Sequence, residues 1–481
     1  MASGALAPSK IPLGSVVLLA LAGLLSSSVL WSIANAQKHT GPSLPTKEIS
    51  EQLVGAINDL ARTLGRQLGA SAGGNSSKAE IFSPVSVGSM MFLLLRLAYG
   101  QTRSELLNVL ELQQFKHSAQ FSSTIPQNLG RLMKELRHDI QGKGILAQLP
   151  RWHSMSNCHP TLDPADYGEE EDNDDQYLDE PIEPNVMKLA NALFLQEGLA
   201  SREKFNEKAQ NLYQARIVQV NFARQPQAAL ATINDWVNST THGRIERILT
   251  QELDPSTQMV VANTLYFKAT WETFFNEPQY TRPQPFFPDG ENAPSVMVPT
   301  MFAGGCYPYH SSPELDARIM AFPYRNRTTS MYIILPNNST RAKVRQLQAS
   351  LGSAELDRLI EQMRMQKAIV QMPRLHITNS YDLKAMLQKI GLHKLFDNAS
   401  SSLKISNSEK RKQSKLFIDQ MKHKIFLDVN ERGTEGGAVT ITAMERSLPP
   451  VTFRVRGPFL LAIRHDPTKM LLFYGAVFDP S

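Results

Sequence analysis

Asp428-Val429-Asn430-Glu431-Arg432-Gly433-Thr434-Glu435-Gly436-Gly437-Ala438-Val439-Thr440-Ile441-Thr442-Ala443-Met444-Glu445-Arg446-Ser447-Leu448-Pro449-Pro450 is the stretch on which the reading of this chain turns. It joins two segments rich in β-branched and aromatic residues, Lys424–Val429 and Val451–Val455, both expected to be strands. Gly433 frees the backbone, and Gly436, Gly437 and Ala438 add no bulk. Val439 to Thr442 then favour an extended strand. No Pro, charge or large side chain interrupts Gly436 to Thr442, so the run is able to join a sheet as an added strand. Beyond it stand one long cation, Arg446, then Ser447 and a Pro pair.

Outward from this stretch, helices and strands intermix without a βαβ rhythm. Ile49, Leu53, Ile57, Leu60, Leu64 and Leu68 recur every three or four residues, the spacing of an amphipathic helix. Leu93–Ala98, Ser104–Leu112 and Leu356–Met363 also read as helical, as does Ser380–Ile390, with Ser380 as its cap and Gly391 as its stop. Met331–Leu335, Ala368–Met372 and Met470–Phe478 read as further strands. Long helices beside non-alternating strands predict an α+β fold. Residues 148–184, Pro-rich and then acidic, read as a disordered insertion.

The 481 residues are 42% hydrophobic and 20% charged, a globular composition with ample material for a core. Two cysteines, Cys158 and Cys306, exclude a disulfide framework and a cysteine-rich metal site; the sequence leaves open whether they pair. The net charge is +5, yet residues 163–183 hold eleven Asp/Glu and no Lys/Arg, which leaves +16 on the rest. A basic body with an acidic segment suggests polyanion contact or self-masking. At the N-terminus, Lys10, the apolar run Val16–Leu30 and Ala34-Asn35-Ala36 have the order of a secretory signal peptide over residues 1–36, its rival being an uncleaved anchor. Sequons at Asn75, Asn238, Asn326, Asn337, Asn338 and Asn398 fit a secretory route, and Asn337 and Asn338 overlap.

Several motifs stand in one order along the chain. Ile81-Phe82-Ser83-Pro84-Val85-Ser86 is followed by Ala98-Tyr99-Gly100-Gln101-Thr102, then Asn191-Ala192-Leu193-Phe194-Leu195 and Ile233-Asn234-Asp235-Trp236-Val237. Ala262-Asn263-Thr264-Leu265-Tyr266-Phe267-Lys268, Met372-Pro373-Arg374-Leu375, Gly457-Pro458-Phe459 and Phe473-Tyr474-Gly475 complete the series. Together with Glu431–Ala438, they resemble the serpin family over residues 48–480. That resemblance implies a single α+β domain over 48–481, preceded by an extension at 37–47. A large mixed sheet, smaller sheets, surrounding helices and an exposed reactive loop are expected, with the acidic insertion between a helix D-like segment and the second strand of the main sheet.

The resemblance also implies a mechanism. A protease cuts the loop and is acylated on it; the freed loop inserts into the large sheet and carries the enzyme away before water resolves the ester, the loop-insertion mode of switching. Glu431, Gly433, Thr434, Glu435, Gly436, Gly437 and Ala438 correspond to the hinge, with Thr434 the first residue that must bury. Gly-Gly stands where alanines are usual in the family, which predicts slower insertion. Counted from Glu431, the family spacing places the scissile residue at Ser447; counted back from Leu448-Pro449-Pro450, it falls on Arg446. Arg446 is the better choice chemically, because guanidinium makes a charge-assisted contact with the buried carboxylate of a trypsin-like pocket. The expected reactive bond is therefore Arg446-Ser447.

Ser83, Ser86, Asn263 and His423 match the buried polar cluster, the shutter, that controls opening of the sheet, and Trp271 matches the breach where the hinge enters. Arg131, Lys134 and Arg137, with His138, fall mostly on one helical face and resemble the segment through which some serpins bind heparin-like polyanions. Tyr167 and Tyr177 lie among acids in a context that favours sulfation, and the acidic arm is expected to cover that basic face. The expected partners are a trypsin-like extracellular protease and a glycosaminoglycan activator, with no nucleic acid, no membrane after signal cleavage, and a monomeric, secreted protein. The chain carries no His-Glu-x-x-His, Gly-x-Ser-x-Gly or Gly-Lys-Ser/Thr phosphate loop, and Gly142–Ala147 imitates a dinucleotide fingerprint without a preceding strand. No metal and no catalytic residue is expected. The alternative reading is a noninhibitory serpin acting as a carrier or chaperone.

Overall fold

In the computed structural model, residues 46–71, 77–116, 124–138, 149–154, 158, 186–199, 203–325, 327–405, 416–434 and 451–481 are described. Contacts gather Thr46–Ser481 into one unit. Helix α1 (Thr46–Ser71) carries the predicted stripe, with Ile49, Leu53, Ile57, Leu60, Leu64 and Leu68 all buried. Strand β1 (Ala79–Phe82) leads to helix α2 (Pro84–Leu97), which starts where Ser83 accepts a hydrogen bond from the Ser86 amide and Pro84 occupies the first turn. Every α2 residue but Arg96 is buried, so this helix is a core element apolar on all sides.

Helices α3 (Gly100–Val109) and α4 (Thr124–His138) follow, then β2 (Val186–Gln196), α5 (Glu203–Tyr213), β3 (Ala215–Val220) and α6 (Pro226–Thr240). After β4 (Met259–Thr270) come β5 (Arg282–Phe286), the 17-residue β6 (Val296–Ser312), β7 (Ala317–Pro323) and β8 (Thr329–Pro336). Helices α7 (Arg341–Ser350) and α8 (Ser353–Gln362) precede β9 (Arg364–Pro373), β10 (Leu375–Asp382) and α9 (Leu383–Lys389). The chain continues through β11 (Gln420–Asn430), β12 (Gly433–Thr434), β13 (Val451–Arg454), β14 (Phe459–His465) and β15 (Met470–Val477).

Among the described residues, two sheets carry the fold. One has nine strands in the path β1-β15-β14-β8-β7-β6-β9-β13, with β5 on β6. The long β6 bonds β9 along Thr300–Tyr309 and β7 along Tyr309–Ser312, which joins the smaller sheets of the expectation into one. The other sheet runs β10-β11-β12-β4-β2-β3. Helix α6 lies on its face, where Ile233, Trp236 and Val237 meet Phe194, Val260 and Phe426 in one buried cluster. Trp236 and Phe194 cross edge to face at 5.7 Å.

Two expectations need correction. The helix predicted at Ser380–Ile390 begins later: Ser380 belongs to β10, and Asp382 caps α9 by accepting from the Lys384 amide. The alternation Leu375, Ile377, Asn379 on the strand overrode the cap signal of Ser380. Gly391 ends the helix as predicted, with φ +99° and the paired bonds Leu392 N–H to Leu387 O and Gly391 N–H to Gln388 O. The insertion predicted as disordered from 148 is also shorter at its front. Arg151–Ser154 form a 3₁₀ turn, Trp152 is buried, and Arg151 approaches Glu361 at 3.7 Å. Cys158 is bonded to Cys306 of β6, with Cα atoms 5.9 Å apart. An aromatic anchor and a cross-link thus hold residues that composition alone assigned to a loop.

Candidate functional site

The strands that matter most are β4 and β11. Over Gln420–Ile425 they pair in parallel with Val260–Leu265, and His423 stands directly across from Asn263. Above that stretch they no longer pair with each other. Gly433 and Thr434 of β12 sit between them, antiparallel to both: Thr434 opposes Ala269 on one side and Val429 on the other. The sheet is zipped at its middle and parted at one end by Gly433 and Thr434.

The chain allows this wedge for steric reasons. Gly433 has φ +155°, and a Cβ there would lie 2.1 Å from the Ala269 carbonyl oxygen, so only glycine fits between β4 and β11. Thr434 is fully buried, its hydroxyl 2.7 Å from the Tyr324 hydroxyl. Tyr324 stacks on Trp271 at 4.5 Å and 11° between planes, and burial holds its phenol above the ordinary range, so it stays neutral and able to donate. Trp271 is itself buried; its indole N–H donates to Asn430 O at 2.9 Å, and its backbone N–H to Arg432 O at 3.0 Å. Phe275 and Phe322 complete the aromatic floor beneath the hinge.

Glu431 anchors the turn between β11 and β12. Its carboxylate is buried and takes charge-assisted bonds from Arg374 Nε at 2.7 Å and Nη2 at 2.6 Å, with the Thr281 hydroxyl as a third donor. Its backbone oxygen accepts from Phe275 N–H at 3.1 Å.

Ser83, Ser86, Asn263 and His423 come together under the zipped part of the sheet, all fully buried. His423 Nε2 accepts the Ser83 backbone N–H at 3.0 Å, which leaves Nδ1 as the protonated nitrogen facing Asn263 O at 3.3 Å. Burial pushes this imidazole down to about 3, so it is neutral throughout the physiological range. Ser86 Oγ donates to Asn263 Oδ1 at 2.7 Å, and Asn263 Nδ2 returns a bond to Ser86 O at 2.8 Å. Three further residues belong to this network that sequence reasoning missed. Asn191 on β2 accepts from Asn263 and donates to Ser89 Oγ at 2.7 Å and to Tyr213 O at 3.0 Å. Tyr381 on β10 stacks on His423 and donates to Ile81 O at 2.9 Å. Asn191 was legible: it is an amide inside the apolar run Leu189–Leu195, where a buried polar side chain requires partners.

Other predicted positions scatter. Arg131 and Lys134 are exposed on α4; Arg137 and His138 belong to the same helix, their side chains outside the described residues. Asn238, Asn338 and Asn398 are exposed, whereas Asn337 donates its Nδ2 to Asp316 Oδ1 at 3.0 Å. Glu435, Gly436, Gly437, Ala438, Arg446, Ser447, Asn75, Asn326, Gly142–Ala147, the signal segment and the acidic run with Tyr167 and Tyr177 lie outside the described residues. Among the described residues no group of three or more His, Cys, Asp or Glu is placed to hold a metal ion, and no helix is long and apolar enough to cross a membrane.

Known proteins resemble this chain in both sequence and fold. The family model described as Serpin (serine protease inhibitor) matches residues 55–480. The chain is 31% identical over 458 residues to serine protease inhibitor 28Dc of Drosophila melanogaster, covering 90% of this chain and 80% of that protein. It is 31% identical over 430 residues to Serpin A3-1 of Bos taurus, covering 89% of each. Among solved structures, human thyroxine-binding globulin complexed with thyroxine superposes with a TM-score of 0.70 at 22% identity, over 90% of this chain and all of that one. Human glycosylated kallistatin gives 0.68 at 25% identity, over 90% and 99%. The fold is the one these serpins share. The chain belongs to the serpin family.

Proposed function

We propose that this protein is a secreted inhibitor of trypsin-like extracellular proteases, acting as a suicide substrate through the Arg446-Ser447 bond. The observation that carries this reading is the fork between β4 and β11. A sheet already parted by Gly433 and Thr434, with small or β-branched residues next in line from Gly436 to Thr442, has a place ready for an added strand. Insertion must then separate the six register pairs Gln420–Ile425 and Val260–Leu265, and the Ser83–Ser86–Asn263–His423 network sits beneath that seam. Glycosaminoglycan binding on the α4 face bearing Arg131, Lys134 and Arg137 is the proposed mode of activation, and salt would weaken it.

The test is to mix the mature protein with trypsin and resolve the products on denaturing gels, with mass spectrometry of the released peptide. An SDS-stable adduct cleaved after Arg446 is the expected result, and Arg446→Ala should lower the rate of adduct formation on the order of 100-fold or more, because the pocket carboxylate is left without its partner. Complete loop cleavage with no adduct would sink the inhibitory reading in favour of a noninhibitory carrier or chaperone. Edman sequencing of the secreted protein should begin at Gln37.

A further inference from the structure

At the end of the seam away from Thr434, a side chain joins β4 and β11 in addition to their backbone ladder. Asp419 immediately precedes β11, and Gln258 immediately precedes β4. One oxygen of Asp419, Oδ2, accepts the Gln258 amide at 2.8 Å and the Met259 amide at 3.1 Å. The Asp419 amide donates in turn to Met259 O at 3.0 Å. Each partner is pinned to its own half of the sheet. Gln258 O accepts the amide of Gln196, the last residue of β2, at 2.9 Å. On the other half, Lys384 of α9 donates to Asp419 O at 3.2 Å, and the Ile418 amide donates to Leu395 O at 3.1 Å. One carboxyl group thus ties the half β4-β2-β3 to the half β11-β10 at their lower end.

Strand register says where this tie would lie on the path of an inserting strand. Thr434 opposes Ala269 of β4 and Val429 of β11. An antiparallel strand continued from Thr434 moves one place down both neighbours with each residue. Ala443 would then meet Val260 and Gln420, which are themselves partners, so the counts along β4 and β11 agree. Met444, one place further, would meet Met259 and Asp419. Glu445 and Arg446 follow, so the last three residues before the proposed cut, about 10 Å of strand, enter only after Asp419 releases its two amides. The His423–Asn263 pair lies four rows higher, which makes it a separate obstacle.

We propose that Asp419 is a positioning residue that clasps the lower end of the seam and sets whether an inserting loop completes its last three rows. This deepens the inhibitory reading and rests on it. Burial holds the Asp419 carboxyl above the ordinary carboxylate range although both amides and Lys384 favour the anion, so the grip lies in the accepting oxygen and not in the charge. A strand halted at Ala443 would leave an ester-linked protease roughly 10 Å short of full travel, with more time for water to reach the ester.

Two synthetic peptides test this without a protease. Residues 435–441 reach down to the row of Ala262 and Lys422 and end above the clasp, whereas residues 435–446 must pass it. Each peptide carries fluorescein and is incubated with the intact protein, and its entry is followed by fluorescence polarisation and native gels. Asp419→Ala should admit the long peptide on the order of 10-fold faster than the natural chain, because two amides no longer have to be pulled from their shared acceptor. The short peptide should enter both at the same rate, which also reports that the variant folds. Asp419→Asn retains an accepting oxygen and should return the long peptide to the natural rate. Should Asp419→Ala fail to fold, Asp419→Val, of similar shape and suited to a strand, replaces it in the same comparison. Equal long-peptide rates with and without the Asp419 carboxyl would overturn the proposal. So would an equal acceleration of both peptides, which reports a sheet loosened throughout. Exclusion of both peptides from every form would refute strand insertion itself, and the inhibitory reading with it.

Discussion

At His423 the burial of one neutral imidazole makes stability depend on pH in a definite direction. Its value falls from 6.5 to about 3 on folding, because desolvation penalises the charged ring and Nε2 is committed to accepting the Ser83 amide. Between those values the unfolded chain holds a proton that the folded protein does not. Stability is therefore complete above about pH 6.5 and declines as pH falls toward 3, at roughly 1.4 kcal/mol per pH unit for such a group. His465, pushed down to about 4 by burial, acts in the same sense over a narrower range. The thermal midpoint is expected to be level from pH 7 to 8 and to drop steadily below pH 6.5. His423→Gln should remove about half of that slope, and an unchanged slope would show that the imidazole is not the group responsible. Gly433 offers a second test at this scale. Its substitution by Ala forces Cβ against Ala269 O, so β12 should leave the sheet and the Thr434 amide should lose its protection from hydrogen exchange.

At the scale of elements, the proposed insertion has to open the seam between β4 and β11. Thr434 is the first wedge residue with a side chain, and its site has no room or partner for charge. Thr434→Arg should leave the fold intact, since the hinge can withdraw to solvent, yet it should convert the protein from inhibitor to substrate. The readout is the ratio of cleaved loop to SDS-stable adduct on gels, and a variant that still forms adduct quantitatively would refute the role given to the fork. Arg374→Ala attacks the same element from outside. It leaves the buried Glu431 carboxylate with the Thr281 hydroxyl as its remaining side-chain donor, at roughly 1–3 kcal/mol, and the midpoint should fall while Arg446 stays cleavable. Helix α6 lies over this sheet through Trp236, so its cluster with Phe194 and Phe426 also has to yield when the sheet widens.

For the whole molecule, β4 and β11 pair as far as Leu265 and Ile425 and are parted beyond by Gly433 and Thr434, from which the proposed insertion would continue with residues 435–450. If that segment inserts after cleavage, β4 and β11 gain a full ladder of partners in place of a two-residue wedge. Protein cut at Arg446 should then melt well above the intact protein by circular dichroism. Equal melting of the two forms would mean that cleavage does not drive insertion.

Much of this was written locally. The α1 stripe, the apolar strands β8, β14 and β15, the Gly391 stop and the unobstructed hinge follow from periodicity and from the conformational preferences of single residues, which operate over a few positions of chain. The shutter residues were reached only because their motifs resemble a family; no spacing in the chain shows that Ser83 meets His423, 340 residues away. Asn191, Ser89 and Tyr381 entered that network unannounced, because a buried polar partner is chosen by which strands become neighbours. Composition likewise assigned Trp152 and Cys158 to a disordered arm, whereas Trp152 is buried, its neighbour His153 lies 3.8 Å from Asp466, and Cys158 bonds Cys306 of β6. The class of fold was legible in the order of the motifs, and the run Gly436–Thr442 and the proposed bait Arg446 rest on residue type alone. Only tertiary structure set the parting of the sheet at Thr434 and the bond between Cys158 and Cys306. Each of these depends on strand register between distant segments, which is set by the packing of the whole core.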